Sequence, residues 1–238
     1  IMALPILNDT PKYEMTIPST NQTLKFRPYL VREEKVLMIA MESEDTNEMF
    51  SAIIDTIKAC VYDPQNSVVW DSLAIFDIEY MFVTIRSKSV GETSKLSLKC
   101  TECETANELK VDLSDIAPAM PDISSTVVLT DDISLEMQWP AYADLYESNI
   151  EKMNSTDMTM MMIGKCIKYV NTADDQIILK DEPQASVDAF IESLSTTQFE
   201  MIKNYTEQMP QIVKDISFTC VNCGHHNNIK LQGMSDFF

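Results

Sequence analysis

Four of the six cysteines fall into two Cys-x-x-Cys pairs, Cys100/Cys103 and Cys220/Cys223. Each pair sits between two runs of alternating polar and apolar residues, Leu96–Lys99 before the first and Ile216–Thr219 before the second. That is the pattern of a β-hairpin with a thiol knuckle at its tip. Two intervening residues let both sulfurs converge, and two knuckles supply the four thiolates of a closed tetrahedral Zn²⁺ site. Two unrelated thiol pairs or a redox dithiol are the rival readings, but a redox Cys-x-x-Cys usually opens a helix in a βαβ context, and here both pairs fall at hairpin tips. Four cysteines fill the coordination shell, so the expected ion is structural. His225 and His226 could replace a thiolate but read better as polar residues of the outgoing strand. Gly224 follows the second knuckle, where a left-handed residue fits easily; Glu104 holds the matching place after the first.

Other catalytic constellations are missing. The chain has no Gly-rich phosphate loop, no Gly-x-Ser-x-Gly and no His-Glu-x-x-His, and its only two histidines are adjacent. Glu33-Glu34 and Asp131-Asp132 are the densest acidic pairs, yet neighbouring side chains on a helix or turn diverge. The sequence therefore reads as a non-enzyme. Its formal net charge is −19. Residues 1–100 hold 10 Lys+Arg against 14 Asp+Glu, and residues 101–238 hold 8 against 23. So acidic a surface repels phosphate backbones and argues against a zinc-ribbon nucleic-acid binder. No apolar run approaches the ~20 residues of a membrane span, and Met2-Ala3-Leu4-Pro5 does not read as a signal peptide.

The elements that must carry the knuckles follow from periodicity. Tyr13–Pro18 and Thr23–Arg27 alternate as two strands. Apolar residues recur at helical spacing over Val31–Glu42, then from a cap at Asp45 or Thr46 to near Cys60, then over Ser72–Ser89. After Gly91 the period changes to two for the first knuckle hairpin, Thr93–Lys99 and Asn107–Leu113. Residues 114–123, with Pro118 and Pro121, look like a linker. Val127–Leu129 and Ile133–Met137 form another hairpin. Helices are expected over Tyr142–Lys152, Asp157–Val170, Ala185–Leu194 and Thr196–Gln208, before the second knuckle hairpin, Val213–Thr219 and Asn228–Leu231. Cys60 and Cys166 fall within apolar helical patterns as core thiols.

The expected fold class is α+β: a zinc ribbon of paired β-hairpin knuckles with an inserted helical region and an N-terminal hairpin-plus-helices segment. Its divisions are 1–92 for the N-terminal segment, 93–113 with 213–238 for the split ribbon, and 114–212 for the mainly helical insertion. The 116 residues between the pairs are many for a ribbon, but loop closure grows costlier only slowly with length. Three further features admit either contact with other chains or a plainer reading: a solvated face for the charged patch and core packing, the commoner use of Met, for the methionine run. Arg27, Arg32 and Lys35 form a charged patch at a helix start. Met158, Met160, Met161 and Met162 crowd one helix. The sequence ends on Phe237-Phe238, read as docking on the body of the chain or in a partner pocket.

Three segments carry a resemblance: Phe26-Arg27-Pro28-Tyr29-Leu30-Val31-Arg32-Glu33-Glu34-Lys35; Phe76-Asp77-Ile78-Glu79-Tyr80-Met81-Phe82 with Arg86-Ser87-Lys88-Ser89-Val90-Gly91-Glu92; and the Cys220 knuckle with its Phe-Phe tail. Together they resemble the baseplate hub protein family of T4-like contractile-tailed bacteriophages, over nearly the whole chain. The resemblance implies a non-enzymatic role in the virion tail baseplate, assembled in the host cytoplasm. Its partners would be other hub or central spike proteins. It covers both resident hub subunits and transient hub assembly chaperones, and it supplies no catalytic residues. Self-association of the chain is left open.

Overall fold

The computed structural model describes residues 10–43, 45–147 and 154–237. The Met2-Ala3-Leu4-Pro5 opening, the second half of the expected Tyr142–Lys152 helix and Phe238 lie outside them. The fold is mixed α+β, with seven α-helices and small antiparallel sheets among the described residues. The chain forms two compact units. One gathers residues up to 68, 76–118 and 211–238, and the other 69–75 and 119–210.

The first unit opens with β1 (Tyr13–Thr16) and β2 (Thr23–Phe26), paired antiparallel with Met15 opposite Leu24. The sheet gains a third strand, β3 (Val61–Tyr62), too short to carry a readable alternation. Helix α1 (Val31–Glu42) has the bounds its periodicity predicts. Its burial differs from expectation: only Glu33, Leu37 and Ala40 face inward, while most of its large apolar side chains face out. Helix α2 (Thr46–Cys60) starts on Asp45, whose carboxylate accepts the N–H groups of Asn47 (2.8 Å) and Glu48 (3.0 Å). An aspartate cap of this kind satisfies amides that the helix itself leaves open. The predicted Ser72 start moves to Ile75: α3 (Ile75–Val90) follows a 3₁₀ turn at Trp70–Ser72. Its Asp77 is fully buried, accepting from Ser19 N (3.0 Å) and Ser19 Oγ (2.6 Å) and so tying the β1–β2 turn to the helix.

Two hairpins complete this unit: β4 (Thr93–Lys99) with β5 (Ala106–Asp112), and, after the second unit, β10 (Val213–Thr219) with β11 (His226–Gln232). Every strand of the second hairpin repeats the first at an offset of 120 residues (Cys100 to Cys220). Even the closing bonds correspond: Leu113 N–H donates to Glu92 O at 2.7 Å, and Gly233 N–H to Ile212 O at 2.9 Å. The hairpins form separate two-stranded sheets, each too small to be stable alone. Leu96, Val111, Leu113, Ile212 and Leu231 join Val83 of α3 in one core, and Phe237 fills it.

The second unit contains a four-stranded antiparallel sheet in the order β6 (Thr126–Val128), β7 (Ser134–Met137), β8 (Ile167–Asn171), β9 (Gln176–Ile178). With it are α4 (Tyr142–Glu147), α5 (Ser155–Cys166), α6 (Gln184–Glu192) and α7 (Thr196–Thr206). The helix expected to reach Val170 stops at Cys166, and the chain continues as β8 against β7, with Leu135 opposite Val170. The segment Ile167-Lys168-Tyr169-Val170 fits either period, and pairing with β7, about 30 residues earlier, decides in favour of the strand. Leu135, Ile163, Ile191 and Ile202 centre the core of this unit, and Trp139 stacks on Tyr205 at 4.5 Å. The methionines of α5 are half-buried, Met160 against that core.

Candidate metal centre

Each knuckle is a tight turn closed on its own strand pair. Cys100 N–H donates to Thr105 O (2.9 Å) and Glu104 N–H to Cys100 O (3.0 Å). In the second knuckle Cys220 N–H donates to His225 O (2.8 Å) and Gly224 N–H to Cys220 O (3.0 Å). The residue after each second cysteine must turn left-handed: Gly224 has φ +73° and Glu104 φ +56°. Glutamate thus adopts a conformation that glycine enters without steric cost.

The shared core brings the two tips together. Cys100 Sγ lies 3.7 Å from Cys223 Sγ, and Cys103 Sγ 3.6 Å from Cys220 Sγ. All four sulfurs lie within 4.8 Å of one another. A disulfide would require about 2.05 Å. Thiolates at ~2.3 Å around one tetrahedral ion stand ~3.8 Å apart, so these spacings fit four ligands sharing an ion. The four cysteines can therefore hold a metal ion. Cys60 and Cys166 take no part: both are buried, and burial pushes their thiols up to about 11 and about 12. In the cluster, hydrogen bonding with Thr105 moves Cys103 down to about 6, whereas at Cys223 the lowering by the His225 amide is outweighed by the neighbouring sulfurs and burial, which push it up to about 12, so the four sulfurs do not share one tendency.

Two asparagines clasp the knuckles reciprocally. Asn227, on β11, accepts the Thr101 N–H of the first knuckle at its Oδ1 (2.8 Å), and its Nδ2 donates toward Cys100 Sγ (3.5 Å). Asn107, on β5, accepts the Val221 N–H of the second knuckle (3.0 Å), and its Nδ2 lies 3.8 Å from Cys220 Sγ. Each Nδ2 also reaches a carbonyl of its own hairpin, Thr105 O for Asn107 (2.7 Å) and His225 O for Asn227 (3.1 Å). Both side chains are buried with their polar atoms satisfied. The sequence reading missed them. The available signal was a repeated Cys-x-x-Cys-x-x-x-Asn, Cys100 to Asn107 and Cys220 to Asn227. His225 and His226 are exposed, and the sulfur cluster forms without them.

The residues nominated as partner contacts separate. Phe237 is fully buried in the hairpin core, so the tail docks on the body of its own chain. Ser94 Oγ donates to Phe237 O (3.0 Å), and Met234 N–H donates to Glu79 Oε1 (3.2 Å). Arg27 is mostly buried: its guanidinium donates to Glu33 (3.0 Å), Pro28 O (2.9 Å) and Ala59 O (3.0 Å), joining β2, α1 and α2. Arg32 reaches the same carboxylate at 2.6 Å while staying exposed, and Lys35 is exposed. Burial alone would push the Glu33 carboxyl up, but donors from Arg27, Arg32 and the Leu30 N–H outweigh it and hold the group at about 2.

A family model described as T4 bacteriophage base plate protein matches residues 10–238. The chain belongs to that family, nearly all of its length being covered. No curated protein and no solved structure matches it. The family places the chain among the structural proteins of the phage tail baseplate. Among the described residues, no helix is long and apolar enough to cross a membrane.

Three outcomes follow from this geometry. Asn227→Ala leaves the Thr101 amide unpaired and should lower stability by about 1–3 kcal/mol in urea unfolding. Asn107→Ala should cost about the same, through Val221. The Glu33 pair contributes in full above about pH 4.5 and is lost as pH falls toward 2, up to ~3 kcal/mol. Stability measured from pH 7 to pH 2 should therefore fall less steeply in Glu33→Gln than in the unaltered chain over that window.

Proposed function

We propose that this chain is a structural component of the contractile-tail baseplate hub, acting through protein–protein contacts, with one Zn²⁺ held by Cys100, Cys103, Cys220 and Cys223. The family match over residues 10–238 carries the baseplate part of this reading. The sulfur spacings support the ion, because they suit a four-thiolate shell and leave no position for a substrate or water. Zinc has no redox chemistry of its own and favours this donor set. Its role is then to fasten two hairpins that are far apart in sequence, completing a zinc ribbon. A function through contacts rather than chemistry agrees with this closed centre. The partners are other hub or central spike proteins, and Arg32 is an exposed residue suited to meeting them. The charge of −19 opposes nucleic acid as the partner.

Mass spectrometry of purified virions tests the role. Recovery of this chain with the hub proteins supports a resident subunit. Absence from virions combined with capture on hub proteins from infected cells would replace that reading with a transient assembly chaperone.

Metal analysis tests the ion. One zinc per purified chain is expected, and its removal by a chelator under reducing conditions should lower the thermal midpoint sharply, since zinc binding in small peptides contributes ~10–16 kcal/mol. Less than about half an ion per chain, or a midpoint indifferent to chelation, would remove zinc from the proposal.

A further inference from the structure

Helix α1 has an outer face with nothing packed on it among the described residues. Val31 is 79% exposed, Met38 and Ile39 56% each, Met41 55% and Val36 48%. Single exposed apolar residues are ordinary on protein surfaces, but five on one 12-residue helix form a patch of the kind that marks an interaction site. The knot of Arg27, Arg32 and Glu33 sets this orientation, turning the Glu33–Leu37–Ala40 edge inward.

The order of residues along the outer face indicates what covers it. Lys35, Met38, Ile39 and Glu42 stand at positions i, i+3, i+4 and i+7, one stripe of a helix. All four are exposed. The stripe has a cation at one end, an anion at the other and apolar side chains between. Laid antiparallel on an identical stripe, it pairs Lys35 with the second copy's Glu42 and Glu42 with the second copy's Lys35, and sets Met38 against the second copy's Ile39. A two-fold interface requires self-complementarity of this sort. The stripe is neutral as a whole, and it lies in the part of the chain with the smaller charge imbalance, residues 1–100. Contact through the more acidic remainder would bring strongly like-charged surfaces together.

We infer that α1 is a homodimerisation helix, packing antiparallel on α1 of a second copy with two reciprocal Lys35–Glu42 pairs at the ends of an apolar centre. Two helices of 12 residues, each ~18 Å long, make an interface at the small end of specific contacts, so the dimer dissociates on dilution.

Sedimentation equilibrium of the full chain over a wide concentration range tests this. A reversible monomer–dimer equilibrium is expected, with Met38→Asp weakening it at least tenfold and leaving the thermal midpoint unchanged, because the position is exposed. Lys35→Glu and Glu42→Lys should each weaken association about fivefold, and the double exchange Lys35→Glu/Glu42→Lys should restore it. A chain that stays monomeric at the highest concentration reached overturns the inference. So does a dimer insensitive to Met38→Asp, or a double exchange no tighter than the single variants.

Discussion

Four sulfurs and two asparagine side chains meet where two hairpin tips touch, and the first compact unit is organised around that meeting. Each hairpin alone is a two-stranded ribbon, too small to exclude water from its own inner face. Joined, they share a core with α3 and enclose Phe237. The thiol cluster and the asparagine clasp act at the tips, while the Glu79–Met234 and Ser94–Phe237 hydrogen bonds act at the base. Residues 119–210 leave and re-enter this framework between the two knuckles. So long an excursion is tolerable because loop entropy rises only logarithmically with length.

The clasp also shows what would let so acidic a chain carry thiolates at this point. Thiolates taken from water need donors or a cation. Here the Asn227 and Asn107 amides, the Asn222 side chain and backbone N–H groups surround them. A cation held among the four sulfurs would complete the compensation. The same principle operates at Glu33, a buried carboxylate made tolerable by Arg27, Arg32 and the Leu30 amide. In both places polar satisfaction fixes the orientation of neighbouring elements: the hairpins in one, α1 in the other.

Much of this was legible beforehand. The bounds of α1, the Asp45 cap of α2, the β6–β7 hairpin and both knuckle hairpins follow from periodicity and capping chemistry that act within a few residues. The convergence of the two Cys-x-x-Cys pairs could be expected because four thiolates spaced in that way suit one ion. The misses involve distance. Strand β3 is two residues long and exists only because β2 offers it an edge. The change from α5 to β8 depends on β7. Phe237, nominated for a partner, is claimed by a core built from segments more than a hundred residues apart in sequence.

Residue type and local spacing therefore determined the thiol centre, the bounds of α1 and the acidic character of the chain, since these depend on neighbours along the chain. Tertiary structure alone decided which faces are covered. Periodicity marks α1 as amphipathic without saying that most of its apolar side chains stay outside, and it marks two asparagines as polar without saying that each grips the other hairpin. The reason is physical: burial and hydrogen-bond partnership are properties of pairs of segments, and the sequence lists only one member of each pair at a time.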